Sequence, residues 1–158
     1  MAGRIGSPRR SLVLAAGALS LAALVFSFSA FAASSQDRSS RATKPFHATK
    51  DCSGFTGLAG AFCTIRSSNV KAVKVGSKIF YFQRSTKTAL DSDMALYVGP
   101  GSVATGHCLL RNATGTGLCT ISDGTGTLAG FHARVRVTAD SSLPNLWHWD
   151  GTYGFNQS

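Results

Sequence analysis

Residues 129 to 138 read Ala129-Gly130-Phe131-His132-Ala133-Arg134-Val135-Arg136-Val137-Thr138. Ala129, Phe131, Ala133, Val135 and Val137 take alternate positions, and His132, Arg134, Arg136 and Thr138 fill those between. Successive side chains of a strand point to opposite faces, so this stretch is a strand with one apolar and one polar side. A helical period would scatter the same residues around a cylinder. Further on, Trp147, Trp149, Tyr153 and Phe155 alternate in the same way with His148, Asp150 and Thr152.

Working outward, eight extended segments emerge: Phe55 to Arg66, Val70 to Val75, Lys78 to Arg84, Met94 to Val98, Val103 to Arg111, Gly117 to Ser122, Thr127 to Thr138 and Leu146 to Phe155. Turn formers separate them, among them Ser67-Ser68-Asn69, Gly76-Ser77, Gly99-Pro100-Gly101, Asp123-Gly124 and Pro144-Asn145. Residues 87 to 93 read as a loop or a short helical turn. Short strands at this spacing predict an all-β sandwich or barrel. Composition agrees: 17 glycines and an absence of glutamate in 158 residues disfavour a helical bundle. All seven acids are aspartates, so chemistry requiring a glutamate pair is excluded.

The N-terminus reads as a secretory signal peptide over residues 1–32. Arg4, Arg9 and Arg10 precede an apolar run from Leu12 to Phe31, and Ala30-Phe31-Ala32 offers small residues for cleavage. The run is also long enough for an uncleaved anchor, and Arg9-Arg10 leaves twin-arginine export open beside the general route. Cleavage lowers the formal charge from +9 to +6 and leaves no integral membrane segment. Residues 33–50, Ser-rich and carrying Arg38, Arg41, Lys44 and Lys50, read as a flexible basic tail, with the barrel domain over 51–158. The tail is either simply solvated or attached to an anionic envelope surface. Nucleic acid is a poor partner for an exported chain.

Cys52 and Cys63 stand eleven apart, as do Cys108 and Cys119. In an exported chain this favours two local disulfides, although three pairings are formally open. Folding 52 to 63 as a hairpin puts Gly57-Leu58 at a tight turn, and folding 108 to 119 puts Ala113-Thr114 at the tip, with Gly115 and Gly117 available to a longer loop. No Cys-x-x-Cys occurs, so no metal site is expected. No cofactor is expected either: Gly124-x-Gly126-x-x-x-Gly130 misses the dinucleotide spacing, and neither a phosphate-loop lysine nor a hydrolase elbow is present.

The run Asp123-Gly124-Thr125-Gly126-Thr127-Leu128-Ala129-Gly130-Phe131-His132-Ala133, with Trp149-Asp150-Gly151-Thr152-Tyr153, resembles small secreted bacterial proteins of uncharacterised function. Ser68-Asn69-Val70-Lys71, Val75-Gly76-Ser77-Lys78 and Leu90-Asp91-Ser92-Asp93 extend the likeness. Those proteins are in turn similar to the allene oxide cyclase and dirigent superfamily. The resemblance implies an eight-stranded antiparallel β-barrel, a hydrophobic or phenolic ligand, and a homo-oligomer.

Three functions follow as expectations. The first is a secreted barrel that binds a small hydrophobic or aromatic ligand, with Trp147, Trp149, Tyr81 and Tyr97 as candidate ligand-binding residues. The second is a cofactor-free cyclase or dirigent-like enzyme, with His132, Arg134, His148, Asp150 and Tyr153 as candidate catalytic residues; His beside Asp suits proton transfer near neutral pH. The third is a structural, envelope-associated protein. Asp91 and Asp93 form an acidic pair of the kind that loops commonly carry. Either face of a strand can line a closed barrel, and the alternation alone leaves that choice open.

Overall fold

The alternating stretch becomes the seventh strand of a closed antiparallel barrel in a computed structural model that describes residues 43–156. The expected signal peptide and residues 33–42 of the expected tail lie outside the described residues. The strands are β1 (Lys44–Asp51), β2 (Phe62–Ser68), β3 (Lys78–Tyr81), β4 (Ala89–Gly99), β5 (Ser102–Arg111), β6 (Thr116–Gly124), β7 (Phe131–Ala139) and β8 (Leu146–Phe155). Each pairs with its sequence neighbours, and β1 pairs with β8 to close the ring. No helix among the described residues is long and apolar enough to cross a membrane.

Eight strands form, but not the eight read from the sequence. Residues 44–50, expected in the tail, are most of β1. Phe46, Ala48 and Lys50 face inward while His47 and Thr49 face out, and the inward lysine disguises the apolar face. Val70 to Val75 is not a strand; Val70 and Val73 are buried from a turn in which the Val73 N–H donates to the Val70 carbonyl. Residues 55–61, expected as strand, belong to the β1–β2 connection, where Gly57 and Gly60 hold φ values of 77° and 82°. Residues 89–93, read as loop, begin β4. Thr127 and Leu128, expected to open the seventh strand, instead belong to one turn of 3-10 helix over Gly126–Leu128, and the strand begins at Phe131.

Both disulfides form as expected. Cys108 and Cys119 are direct cross-strand partners on β5 and β6 with Cα atoms 4.1 Å apart, the spacing of the closer antiparallel pairs. Cys52 and Cys63, 4.2 Å apart at Cα, follow the last β1–β2 pair, Asp51 with Thr64. They staple the mouth of a loop spanning residues 53–61 and not a two-residue turn. Each closure contributes roughly 3 kcal/mol by loop-entropy reasoning.

The apolar faces line the interior. Phe46 is fully buried and meets Phe131, Trp149 and Tyr153 edge-on, with ring centroids 6.2, 6.2 and 5.9 Å away. Burying one such side chain is worth about 1.5–3 kcal/mol, so β1 is anchored by packing as well as by its ladder. Opposite Phe46 on β8 stands Gly151, itself opposite Val135 on β7. A Cβ at 151 would collide with the Arg134 carbonyl oxygen and lie 2.8 Å from the Val135 Cα. The close approach is of backbone to backbone, so no rotamer relieves it. Gly151→Ala is therefore expected to destabilise the barrel by about 2–4 kcal/mol, read as a lowered urea midpoint with both disulfides intact; an unchanged midpoint would show that the strands separate at little cost.

Candidate functional site at a buried lysine

At the β1 end nearest the Cys52–Cys63 staple, strand alternation turns Lys50 inward, opposite Ile65 on β2 and half-buried Trp147 on β8. The residue is 4% exposed. Its Nζ donates a hydrogen bond to the Tyr81 hydroxyl at 2.5 Å and lies 5.2 Å from the Tyr81 ring centroid and 5.0 Å from that of Trp149. Among the described residues no carboxylate pairs with it. Asp51, Arg66, Lys78 and His148 on the surrounding strands take the opposite phase and stand on the outer face. Aromatic faces attract the ammonium form, but they replace only part of its hydration.

Desolvation therefore dominates. Burial brings the Lys50 pKa down from 10.5 to about 7, and burial pushes the Tyr81 phenol well above its ordinary value. Near neutral pH the pair holds an amine able to lose its proton beside a phenol that keeps its own. The Trp149 indole N–H is also buried and has no hydrogen-bond partner among the described residues. Leaving a buried donor unmade costs about 1–3 kcal/mol. The interior thus carries spare donors in an aromatic setting, an arrangement suited to an acceptor oxygen on an apolar body.

A cap covers this end. Phe55, in the stapled loop, packs edge-on against Tyr81 with ring centroids 5.5 Å apart, and the Gly60 N–H donates to the Tyr81 carbonyl. Leu58 at the loop's tip is 51% exposed.

The residues predicted from sequence are distributed differently. Trp149 and Tyr81 are inside, at the lysine; Trp147 is half-buried beside it; Tyr97 is 39% exposed on the outer face of β4. Of the catalytic candidates only Tyr153 is on the inner face, among Phe46, Phe131 and Phe155. His132, Arg134, His148 and Asp150 are on the outer face, and the β7–β8 register separates them: His132 faces Gly154 while His148 faces Thr138. Six residues of strand divide the two histidines, about 20 Å, so no single cluster forms.

His148 and Asp150 instead border an outer groove of about 320 Å³ with His47, Thr49, Ser67 and Asn69. His47 Nδ1 lies 2.8 Å from Asp150 Oδ1, and His148 Nε2 lies 2.8 Å from Asp140 Oδ2. The His148 hydrogen bond and the N–H groups of Ser142 and Leu143 hold Asp140 down to about 2. Asp91 and Asp93, on strand and not loop, flank His107 at 3.0 Å each. The His47 and His107 pairs face solvent and contribute little individually, whereas His148–Asp140 is half-buried.

The sequence reading missed Lys50 as a site residue. Its signal was the phase of Phe46-His47-Ala48-Thr49-Lys50, which puts the lysine on the apolar side. Comparison of the chain with family models, with curated proteins and with solved structures finds no match.

The lysine's pKa carries a stability signature. In the unfolded chain the amine is protonated up to about 10.5, whereas in the folded barrel it is neutral above about 7. Between these values the unfolded state binds more protons, so stability rises with pH by up to about 1.4 kcal/mol per unit. Above pH 10 the buried phenol reverses the trend. Lys50→Met should flatten the rise between pH 7 and 10 and stabilise the fold at pH 7 by about 3 kcal/mol, allowing for the Tyr81 hydrogen bond lost. Urea denaturation across that range measures it; a variant as pH-dependent as the parent would place the cause elsewhere.

Proposed function

We propose that the protein is an exported, disulfide-stapled binding module whose barrel takes up a small hydrophobic or aromatic molecule bearing an acceptor oxygen at the Lys50 end. One observation carries this reading. The Lys50 amine is buried against Tyr81 and Trp149 without a carboxylate partner among the described residues. A structural core gains nothing from such a group, because an apolar side chain of similar volume removes the desolvation cost. A ligand oxygen that accepts from Nζ repays that cost on binding.

The likeness of the Gly124-Thr125-Gly126 turn and the strand after it to the allene oxide cyclase and dirigent superfamily supports the same reading, as does the antiparallel eight-stranded barrel. The two disulfides suit an oxidising compartment, in keeping with export. Since four of the five residues expected for a cyclising enzyme face outward, binding is favoured over cyclase chemistry.

Titration of the oxidised protein with anilinonaphthalene sulfonate, an aromatic anion whose emission rises in apolar surroundings, tests the proposal. Saturable binding at one site per barrel is expected. Lys50→Met should weaken it at least tenfold by removing a charge-assisted hydrogen bond, while Arg134→Ala on the outer face should leave it unchanged. Equal affinity in the Lys50→Met variant, or no saturable binding, overturns the assignment.

A further inference from the structure

We propose that Lys50 is a covalent anchor, condensing through Nζ with the carbonyl carbon of a small aromatic aldehyde or ketone to form a reversible imine. The inference rests on the ligand reading above and names the chemical class of the ligand. Three features of the site carry it. The amine is enclosed by two aromatic rings, its one hydrogen-bond partner among the described residues is a phenol, and no carboxylate holds it as an ammonium ion. An aromatic carbonyl compound that displaces Phe55 offers a ring to take its place against Tyr81 and an electrophilic carbon for the nitrogen beside it.

The reaction balances without a cofactor or an oxidant. The Nζ lone pair attacks the carbonyl carbon, one of the two amine protons passes to the carbonyl oxygen, and a carbinolamine results. Loss of that hydroxyl with the remaining nitrogen proton releases one water and leaves the C=N bond. Tyr81, whose oxygen already contacts Nζ, is placed to give a proton to the departing hydroxyl and recover it from nitrogen. Burial favours both steps, since it keeps the amine nucleophilic near neutral pH and the phenol protonated. Lys71, Lys74 and Lys87 are exposed on the surface without such an aromatic enclosure and serve as the internal comparison. Phe55 guards the approach, packed on Tyr81 from a loop whose ends are tied by Cys52–Cys63.

The test is reductive trapping of the full oxidised protein with benzaldehyde and cyanoborohydride at pH 7, followed by peptide mapping. The expected result is a benzyl group on Lys50 in at least tenfold preference to Lys71, Lys74 and Lys87. Tyr81→Phe, which keeps the ring and its packing, should slow labelling of Lys50 about tenfold, and Phe55→Ala should speed it. Labelling of Lys50 no faster than that of the exposed lysines, in both the parent and Phe55→Ala, overturns the proposal. Should anilinonaphthalene sulfonate still bind in a Lys50-dependent manner, only the covalent step falls; should that binding also be absent, the ligand reading falls with it.

Discussion

A β-sheet is left with two unpaired edges unless its first and last strands meet, and in this protein they meet along the whole of β1. Eight residue pairs, from Lys44 with Tyr153 to Asp51 with Leu146, join β1 to β8. Everything at the interior site follows from that ladder. The pairing sets the phase of β1, so that Phe46 enters the aromatic cluster of Phe131, Trp149 and Tyr153. Lys50, four residues on and in the same phase, has no choice but to follow it inside. A slip by one residue would expose Lys50 but would also expel Phe46 and Ala48. Packing of the phenylalanine therefore holds the lysine in its unfavourable place.

The two staples divide the work of holding this arrangement. Cys108–Cys119 ties adjacent strands that already pair along their length, where the cross-link chiefly restricts the unfolded chain. Cys52–Cys63 sits where the β1–β2 ladder ends and a loop begins. That loop carries Phe55 over Tyr81, and the Tyr81 N–H and carbonyl both bond to it, through the Ala61 carbonyl and the Gly60 N–H. Fixing the loop's two ends thus fixes the cap over the amine, and keeps water from solvating it.

The barrel was legible from β7 and β8 because their faces are cleanly sorted: Phe131, Ala133, Val135 and Val137 on one side, His132, Arg134 and Arg136 on the other. The pairing of cysteines was legible because local closure suits antiparallel neighbours. β1 was hidden by the same feature that gives it interest. With lysine at an inward position, histidine outward and a serine-rich approach, residues 44–50 have the composition of a solvated tail. Val70 to Val75 misled in the opposite sense: Val70 and Val73 are buried, but at a spacing of three, which a turn provides and a strand does not. The candidate site was half legible. Trp149 and Tyr81 could be chosen as aromatic residues, whereas their convergence on Lys50 depends on the register of three strands far apart in sequence.

The contrast between the two faces shows why burial, more than residue type, marks out the site. The outer surface has the groups conventionally associated with proton transfer, with His47 on Asp150, His148 on Asp140 and His107 between Asp91 and Asp93. Water screens the exposed pairs of His47 and His107, and their interactions are correspondingly modest. Inside, one amine without a counter-charge is altered more, because two aromatic rings and one phenol replace only part of the hydration it loses. A methionine at position 50 would satisfy the fold better. At Lys50 the sequence departs from the apolar pattern of β1, at a cost that the packing of Phe46 must carry.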